Sequence, residues 1–166
     1  MQRSSLDLSG RVAVVIGATS GLGKEIALGL AEHGADVVPG GRRADLLQQT
    51  CNEIERLGRH TLHHPVDAQL KDSLASFRDA VLNSLGQVDI LVNSAGRTFR
   101  KPTIAIDAQE WSSLFETNVT AVLHACQVFF EPLKASGAGR VINISSLSSY
   151  VAFHEVSAYC ASKSSD

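Results

Sequence analysis

The chain has 166 residues, 44% hydrophobic and 19% charged, with a formal net charge of −2. That length suits one globular domain with a substantial core, and the mixture of apolar and charged residues excludes a disordered chain. The balance of charge supplies no basic surface for nucleic acid, and no apolar run is long enough for a signal peptide or a membrane span, so a soluble cytoplasmic protein is expected.

Arg11-Val-Ala-Val-Val-Ile16 is almost wholly apolar, the pattern of a strand buried on both faces of a parallel sheet. From Gly21 to His33 the positions Leu22, Ile26, Leu28, Leu30 and Ala31 follow a helical pattern that stops at Gly34. Ala35–Val38 reads as a second strand, ended or bulged at Pro39, which cannot donate to a ladder. Residues 44–57, with Leu46, Leu47, Ile54 and Leu57, read as a helix that stops at Gly58, and residues 59–66 as a third, more polar strand. Residues 70–85 repeat the helix pattern through Leu70, Leu74, Phe77, Val81 and Leu85, then stop at Gly86. Val88–Val92 is a fourth strand, Asp107 to about Lys134 a long helix, and Arg140–Ile144 a fifth strand. This alternation argues for βαβ units, hence an α/β fold with a doubly wound parallel sheet covered by helices on both faces.

Between the first strand and the first helix stands Gly17-Ala-Thr-Ser-Gly21-Leu-Gly23. A backbone that approaches a pyrophosphate needs residues without side chains, and the helix behind it offers free N–H groups and a positive dipole end. Gly17 would allow the tight turn, Gly21 the close approach and Gly23 the packing of helix on strand, with Thr19, Ser20 and Leu22 in the same turn. An ordinary tight βα turn is the plainer reading, but the strand-turn-helix setting favours a dinucleotide site. After the second strand come Gly40-Gly41-Arg42-Arg43, with no carboxylate until Asp45. An acidic residue there would suit the ribose hydroxyls of NAD, whereas Arg42 and Arg43 favour the extra phosphate of NADP(H), to which the Ser20 hydroxyl would add; the alternative is two solvated charges opening a helix.

Ser146, Tyr159 and Lys163 form the sharpest signal. Reducing a carbonyl by hydride needs a proton for the developing alkoxide and a donor to hold that oxygen. A free phenol loses its proton only near pH ~10, so it works best beside a cation. Tyr159 and Lys163 are four apart and share one helix face, and Ser146 follows the fifth strand, where α/β proteins place their chemistry.

With its Gly-x-x-x-Gly-x-Gly turn and a Ser followed 13 residues later by Tyr-x-x-x-Lys, the chain resembles the short-chain dehydrogenase/reductase family. The resemblance implies a Rossmann-like sheet with five strands present of a family-typical seven, in a single NAD(P)-binding domain over residues 1–166. It implies that Tyr159 is the acid/base, that Ser146 orients the substrate carbonyl, and that Lys163 also holds the nicotinamide ribose. It matches Asn118 to the family Asn of a proton relay, Asp67 to the Asp beside the adenine, and Asn93-Ser-Ala-Gly96 to the family's Asn-Asn-Ala-Gly turn, with Ala95 and Gly96 in close approach. Two positions depart from the pattern: Ile16 stands where the family commonly has Thr, and Ser94 where it has a second Asn.

The remaining candidates are plainer. His60, His63 and His64 lack a matched carboxylate or thiol for a metal, and the three cysteines are too widely spaced for a disulfide framework or a zinc cluster. Trp111, Phe115, Val122, Phe129 and Phe130 are expected in the core, with part of that face available to a subunit partner. Family members continue beyond the Tyr/Lys motif, so the domain is expected to be C-terminally incomplete, with a bare edge at the fifth strand and a Tyr/Lys helix too short to hold itself. The reading is an NADP(H)-dependent oxidoreductase acting on a small alcohol or carbonyl substrate (3-oxoacyl, sugar-acid or similar), without nucleic acid or membrane partners. The family suggests a homo-oligomer. The alternative is a nucleotide-binding remnant without turnover; a nucleotide-sugar epimerase is disfavoured by the glycine spacing.

Overall fold

The computed structural model describes residues 6–165. In chain order its elements are β1 (Val12–Ile16), α1 (Gly21–Glu32), β2 (Asp36–Gly40), α2 (Ala44–Arg56), α3 (Lys71–Leu85), β3 (Ile90–Asn93), α4 (Ala108–Phe115), α5 (Ala121–Ala135), β4 (Arg140–Asn143) and α6 (Ser157–Lys163). A π-helical turn, Glu116–Thr120, joins α4 to α5, and short 3-10 turns lie at Thr103–Ala105 and Leu147–Ser149. The strands form one parallel sheet in the order β2-β1-β3-β4.

Strand periodicity explains the two layers. Val12, Val14 and Ile16 of β1 face one cluster with Leu74, Phe77 and Val81 of α3 and Phe129 and Leu133 of α5. Ala13 and Val15 face the opposite cluster with Ala27 and Ala31 of α1 and Ile54 of α2. Helices therefore cover both faces, as in a Rossmann-like α/β sheet. Each fully buried Val, Leu or Phe contributes roughly 1.5–3 kcal/mol. Gly34, Gly58 and Gly86 all take left-handed backbone where their helices stop, with φ of 98°, 74° and 78°.

The sheet has four strands where the sequence suggested five. Residues 59–66 form no strand; among the described residues they join β2 and the residue after it by two backbone–backbone bonds, Val37 N–H to His60 O (3.0 Å) and Val66 N–H to Gly41 O (2.9 Å), while Asp36 Oδ1 accepts from His60 N–H (2.9 Å) and the Arg59 guanidinium. Prolines explain the interruption. Because Val37 donates outward, the alternating position Pro39 faces outward too, where it has no N–H to give, and Pro65 gives none from the other side. For the same reason Pro39 neither ends nor bulges β2: it pairs in register with Val15, and its missing donor falls on the side away from β1.

The long helix runs as expected but is interrupted by the π-helical turn. It begins at a capping box, in which Asp107 accepts from Glu110 N–H (2.8 Å) and Glu110 accepts from Asp107 N–H (3.1 Å). The backbone donors of Glu110, first, and Gln109 hold the Asp107 carboxyl below its ordinary value. Of the aromatic residues expected in the core, Phe129 is fully buried, but Phe130 is 57% and Trp111 40% exposed. The buried stripe of α5 runs through Ala121, Ala125, Val128, Phe129 and Leu133, and Phe130 lies past its edge. Trp111 instead stacks on Phe115, ring centroids 4.7 Å apart.

Asp89 stitches the amino ends of the strands together. Its carboxylate accepts from Val12 N–H (2.9 Å), Arg11 Nη1 (2.9 Å), Gln87 Nε2 (2.9 Å) and Ser136 Oγ (2.7 Å). Its backbone joins Val12 O and Arg140 N–H. Burial pushes this carboxyl up, but the donors from Val12, Ser136 and Arg11 together outweigh burial and hold it below its ordinary value.

Candidate active site

At the carboxyl ends of the strands lies a cleft of about 510 Å³. The turn after β1, the arginines after β2, residues 66–69, the segment after β3, and Tyr159 and Lys163 of α6 all line it. This is where an open parallel sheet leaves room between diverging loops.

The glycine turn is packed against the turn after β3. A Cβ on Gly17, whose φ is 93°, would stand 2.5 Å from Ala95 N, and one on Gly23 would strike the Gly17 carbonyl and lie 3.1 Å from Ser94 Oγ. Gly17 and Gly23 thus fit one another and the Ala95 backbone, a closer constraint than packing of helix on strand. Gly21 lies at the start of α1, with open space beside it. Thr50 Oγ1 donates to Ala18 O (3.1 Å) from α2 and props the turn from behind. The N-terminus of α1 has no side-chain cap and no acidic residue in its first turn.

The two arginines differ. Arg43 Nη2 donates to both Thr19 Oγ1 and Ser20 Oγ at 2.7 Å, so a guanidinium and two hydroxyls meet at the mouth of the turn. Arg42 has a side chain 70% exposed and reaches Asp67 Oδ2 only at 3.9 Å. Asp67 also accepts from Gln69 N–H (3.1 Å).

On the opposite wall, Lys163 is buried and its Nζ donates to Ile144 O (2.7 Å). Tyr159 lines the cleft beside it, and among the described residues no hydrogen bond involves its hydroxyl. The Lys163 carbonyl accepts from Ser145 Oγ (3.2 Å) and Ser149 Oγ (2.6 Å). Four predicted site residues do not line the cleft: Gly21, at the start of α1, and Asn93, Asn118 and Ser146. Asn93 is buried and joins β3 to β4, donating from Nδ2 to Asn143 Oδ1 (2.9 Å). Asn118, in the π-helical turn, is fully buried: Oδ1 accepts from Arg97 N–H (2.9 Å), and Nδ2 donates to Arg97 O (2.9 Å) and Ser162 Oγ (2.9 Å). Ser146 caps the 3-10 turn that follows it, its Oγ accepting from Ser148 N–H (3.2 Å), while its neighbour Ser145 lines the cleft.

Residues 11–165 match the family model for short chain dehydrogenase. The chain belongs to the short-chain dehydrogenase family. It is 34% identical over 162 residues to 2-dehydro-3-deoxy-D-gluconate 5-dehydrogenase of Escherichia coli (strain K12), an alignment covering 97% of this chain and 63% of that protein. It is 36% identical over 155 residues to D-beta-hydroxybutyrate dehydrogenase of Rhizobium meliloti (strain 1021), covering 92% of this chain and 60% of that one. Among solved structures, a metagenomic short-chain oxidoreductase in complex with NADP superposes with a TM-score of 0.88 at 36% identity, covering 95% of this chain and 72% of the other. The chain therefore spans about 60% of the length of these two curated relatives.

In this member of the family the other candidates stay outside the site. Among the described residues, no group of three His, Cys, Asp or Glu is placed to hold a metal ion, and no helix is long and apolar enough to cross a membrane. His64 packs its ring against Phe77, centroids 5.8 Å apart. The cysteines are free, and burial pushes the Cys51 and Cys126 thiols up, which suppresses the reactive thiolate. Sequence reasoning missed Thr50, Ser145 and Arg97. The last stands directly after Gly96 in the cleft wall, and that adjacency was the available signal.

Proposed function

We propose that this chain carries the coenzyme site and the acid/base residues of an NADP(H)-dependent oxidoreductase that interconverts an alcohol and a ketone. The carrying observation is the meeting of the glycine turn, Arg43, Tyr159 and Lys163 around one cleft. The cradle fits a dinucleotide. Gly17 and Gly23 let the turn close on itself and on the Ala95 backbone where a Cβ would collide, and the uncapped start of α1 leaves N–H donors and a positive dipole end for a pyrophosphate. Arg43, Thr19 and Ser20 form a donor set suited to a 2′-phosphate, with no carboxylate at the end of β2 to repel it. The NADP complex of the metagenomic relative supports the same choice.

When bound, NADP(H) supplies or takes the hydride. Tyr159 gives or takes the proton at the substrate oxygen, and the ammonium of Lys163, one helical turn away, favours the phenolate formed when Tyr159 donates. Ser146 holds the carbonyl oxygen once its hydroxyl leaves Ser148 N–H. Asn118 fixes the turn that backs the site, and Asp67 flanks the adenine end beside Ala95 and Gly96. The substrate is a small hydroxy acid or its oxo counterpart, supported by the names of the gluconate and hydroxybutyrate relatives.

A second reading, nucleotide binding without turnover, is favoured by the engagement of Ser146 with Ser148 and its position outside the cleft lining. NADPH absorbance followed with a panel of oxo acids, beside a nucleotide titration, decides between them. Turnover abolished by Tyr159→Phe supports the first, binding without turnover selects the second, and absence of both overturns both.

A further inference from the structure

The cleft holds a third arginine that neither the coenzyme site nor the acid/base pair uses. Arg97 follows β3, whereas Arg42 and Arg43 follow β2. Its backbone is held at both polar atoms by the Asn118 amide, and the same amide donates to Ser162, the residue before Lys163. One buried side chain thus ties Arg97 to the helix that carries Tyr159 and Lys163, at the acid/base end of the cleft.

The guanidinium is exposed and has one partner among the described residues. Arg97 Nη1 rests on Ser113 Oγ (3.0 Å), one turn before Thr117, a residue of the cleft lining. That uses one of five N–H donors. Among the described residues Arg97 forms no salt bridge, and Glu110, one turn before Ser113 on the same helix, is taken by Lys101. A planar fork with a fixed backbone and no carboxylate of its own suits a bidentate anion.

We infer that Arg97 is the anchor for the carboxylate of the substrate, selecting hydroxy and oxo acids over uncharged alcohols and ketones; this rests on the dehydrogenase reading above. The carboxylate binds the guanidinium while the oxygen to be protonated points to Tyr159. The cations near Arg43 serve the coenzyme, so the two anionic ligands are held at separate ends.

The test titrates D-3-hydroxybutyrate and its uncharged amide into the full chain by calorimetry, with and without saturating NADP⁺, for wild type, Arg97→Gln and Arg97→Lys, each checked for an unchanged thermal melt. In wild type the acid binds about 10-fold or more tighter than the amide, as expected of one charge-assisted pair. Arg97→Gln erases that preference and leaves the NADP⁺ Kd within about twofold, while Arg97→Lys restores part of it, because a point charge replaces the fork. Equal binding of acid and amide to wild type, or a preference that survives Arg97→Gln, overturns the inference. So does a loss of NADP⁺ affinity as large as the loss of acid affinity, which would assign Arg97 to the coenzyme. Failure of NADP⁺ to bind at all refutes the coenzyme reading alone, and the acid-over-amide preference measured without NADP⁺ still decides Arg97.

Discussion

Replacing Arg43 by alanine tests the coenzyme choice most directly. Its Nη2 is held by Thr19 Oγ1 and Ser20 Oγ at 2.7 Å each, so the guanidinium is already ordered and its remaining N–H groups are available to a phosphate. Charge-assisted hydrogen bonds contribute about 1.5–3 kcal/mol, and two N–H groups on one phosphate share a single side chain, so a loss of about 2–3 kcal/mol is expected. That corresponds to roughly 30- to 150-fold weaker NADPH binding. NADH, which has no 2′-phosphate, should change less than about threefold, because an exposed arginine interacts weakly with distant charge. Arg42→Ala should matter far less, since its side chain is 70% exposed and already leans towards Asp67. Quenching of intrinsic fluorescence by the two nucleotides, titrated at two salt concentrations, reads the affinities of wild type and both variants. Equal losses for NADH and NADPH would refute the phosphate role of Arg43, as would a larger effect from Arg42 than from Arg43.

Tyr159→Phe should lower any turnover by about 10²- to 10⁴-fold, with NADPH affinity changed only a few-fold, in a stopped-flow or absorbance assay. Gly23→Ala should cost about 1–3 kcal/mol of stability in a urea melt and weaken nucleotide binding, because the added methyl meets the Gly17 carbonyl. Asp89→Asn should cost about 2–4 kcal/mol near neutral pH, since Asp89 is buried and its charge is matched to four donors. Its carboxyl titrates lower in the folded chain than in the unfolded one, so its contribution is complete above about pH 4 and is lost as pH falls through the depressed folded value. The stability gap between wild type and Asp89→Asn should therefore close on acidification; a gap that widened instead would contradict the assignment.

What was legible in the sequence was whatever local pattern decides. Val12–Ile16 is apolar at every position because both faces of the strand are covered, and the glycines at 34, 58 and 86 stop helices because they take left-handed backbone. The glycine turn and the Tyr159/Lys163 pair were legible as local spacings, and the structure brings both to one cleft. The segment 59–66 was not, since its failure to form a strand depends on which way the missing donor of Pro39 points, and only pairing with β1 sets that. Asp89 was equally hidden: its partners Arg11 and Val12 lie 78 and 77 residues away, beyond any periodicity. The states of Ser146 and Asn93 were hidden for a related reason, because a short polar side chain takes whichever backbone or amide group folding brings nearest.

A helix of seven residues, such as α6, is far below the roughly 12–15 that an isolated helix needs in water, so its order must come from outside itself. Three segments supply it. Asn118 of the π-helical turn donates to Ser162, Ser145 and Ser149 donate to the Lys163 carbonyl, and Lys163 Nζ closes on Ile144 O at the end of β4. The serine hydroxyls satisfy a carbonyl that the end of a helix would leave unpaired. Asn118 also holds Arg97, so loss of its buried amide would leave donors and acceptors on two walls of the cleft unpaired at about 1–3 kcal/mol each. The short spacing between Tyr159 and Lys163 makes the pair, but long-range hydrogen bonds set where the pair stands. That division explains how a helix that cannot support itself presents both side chains to the same cleft as the glycine turn.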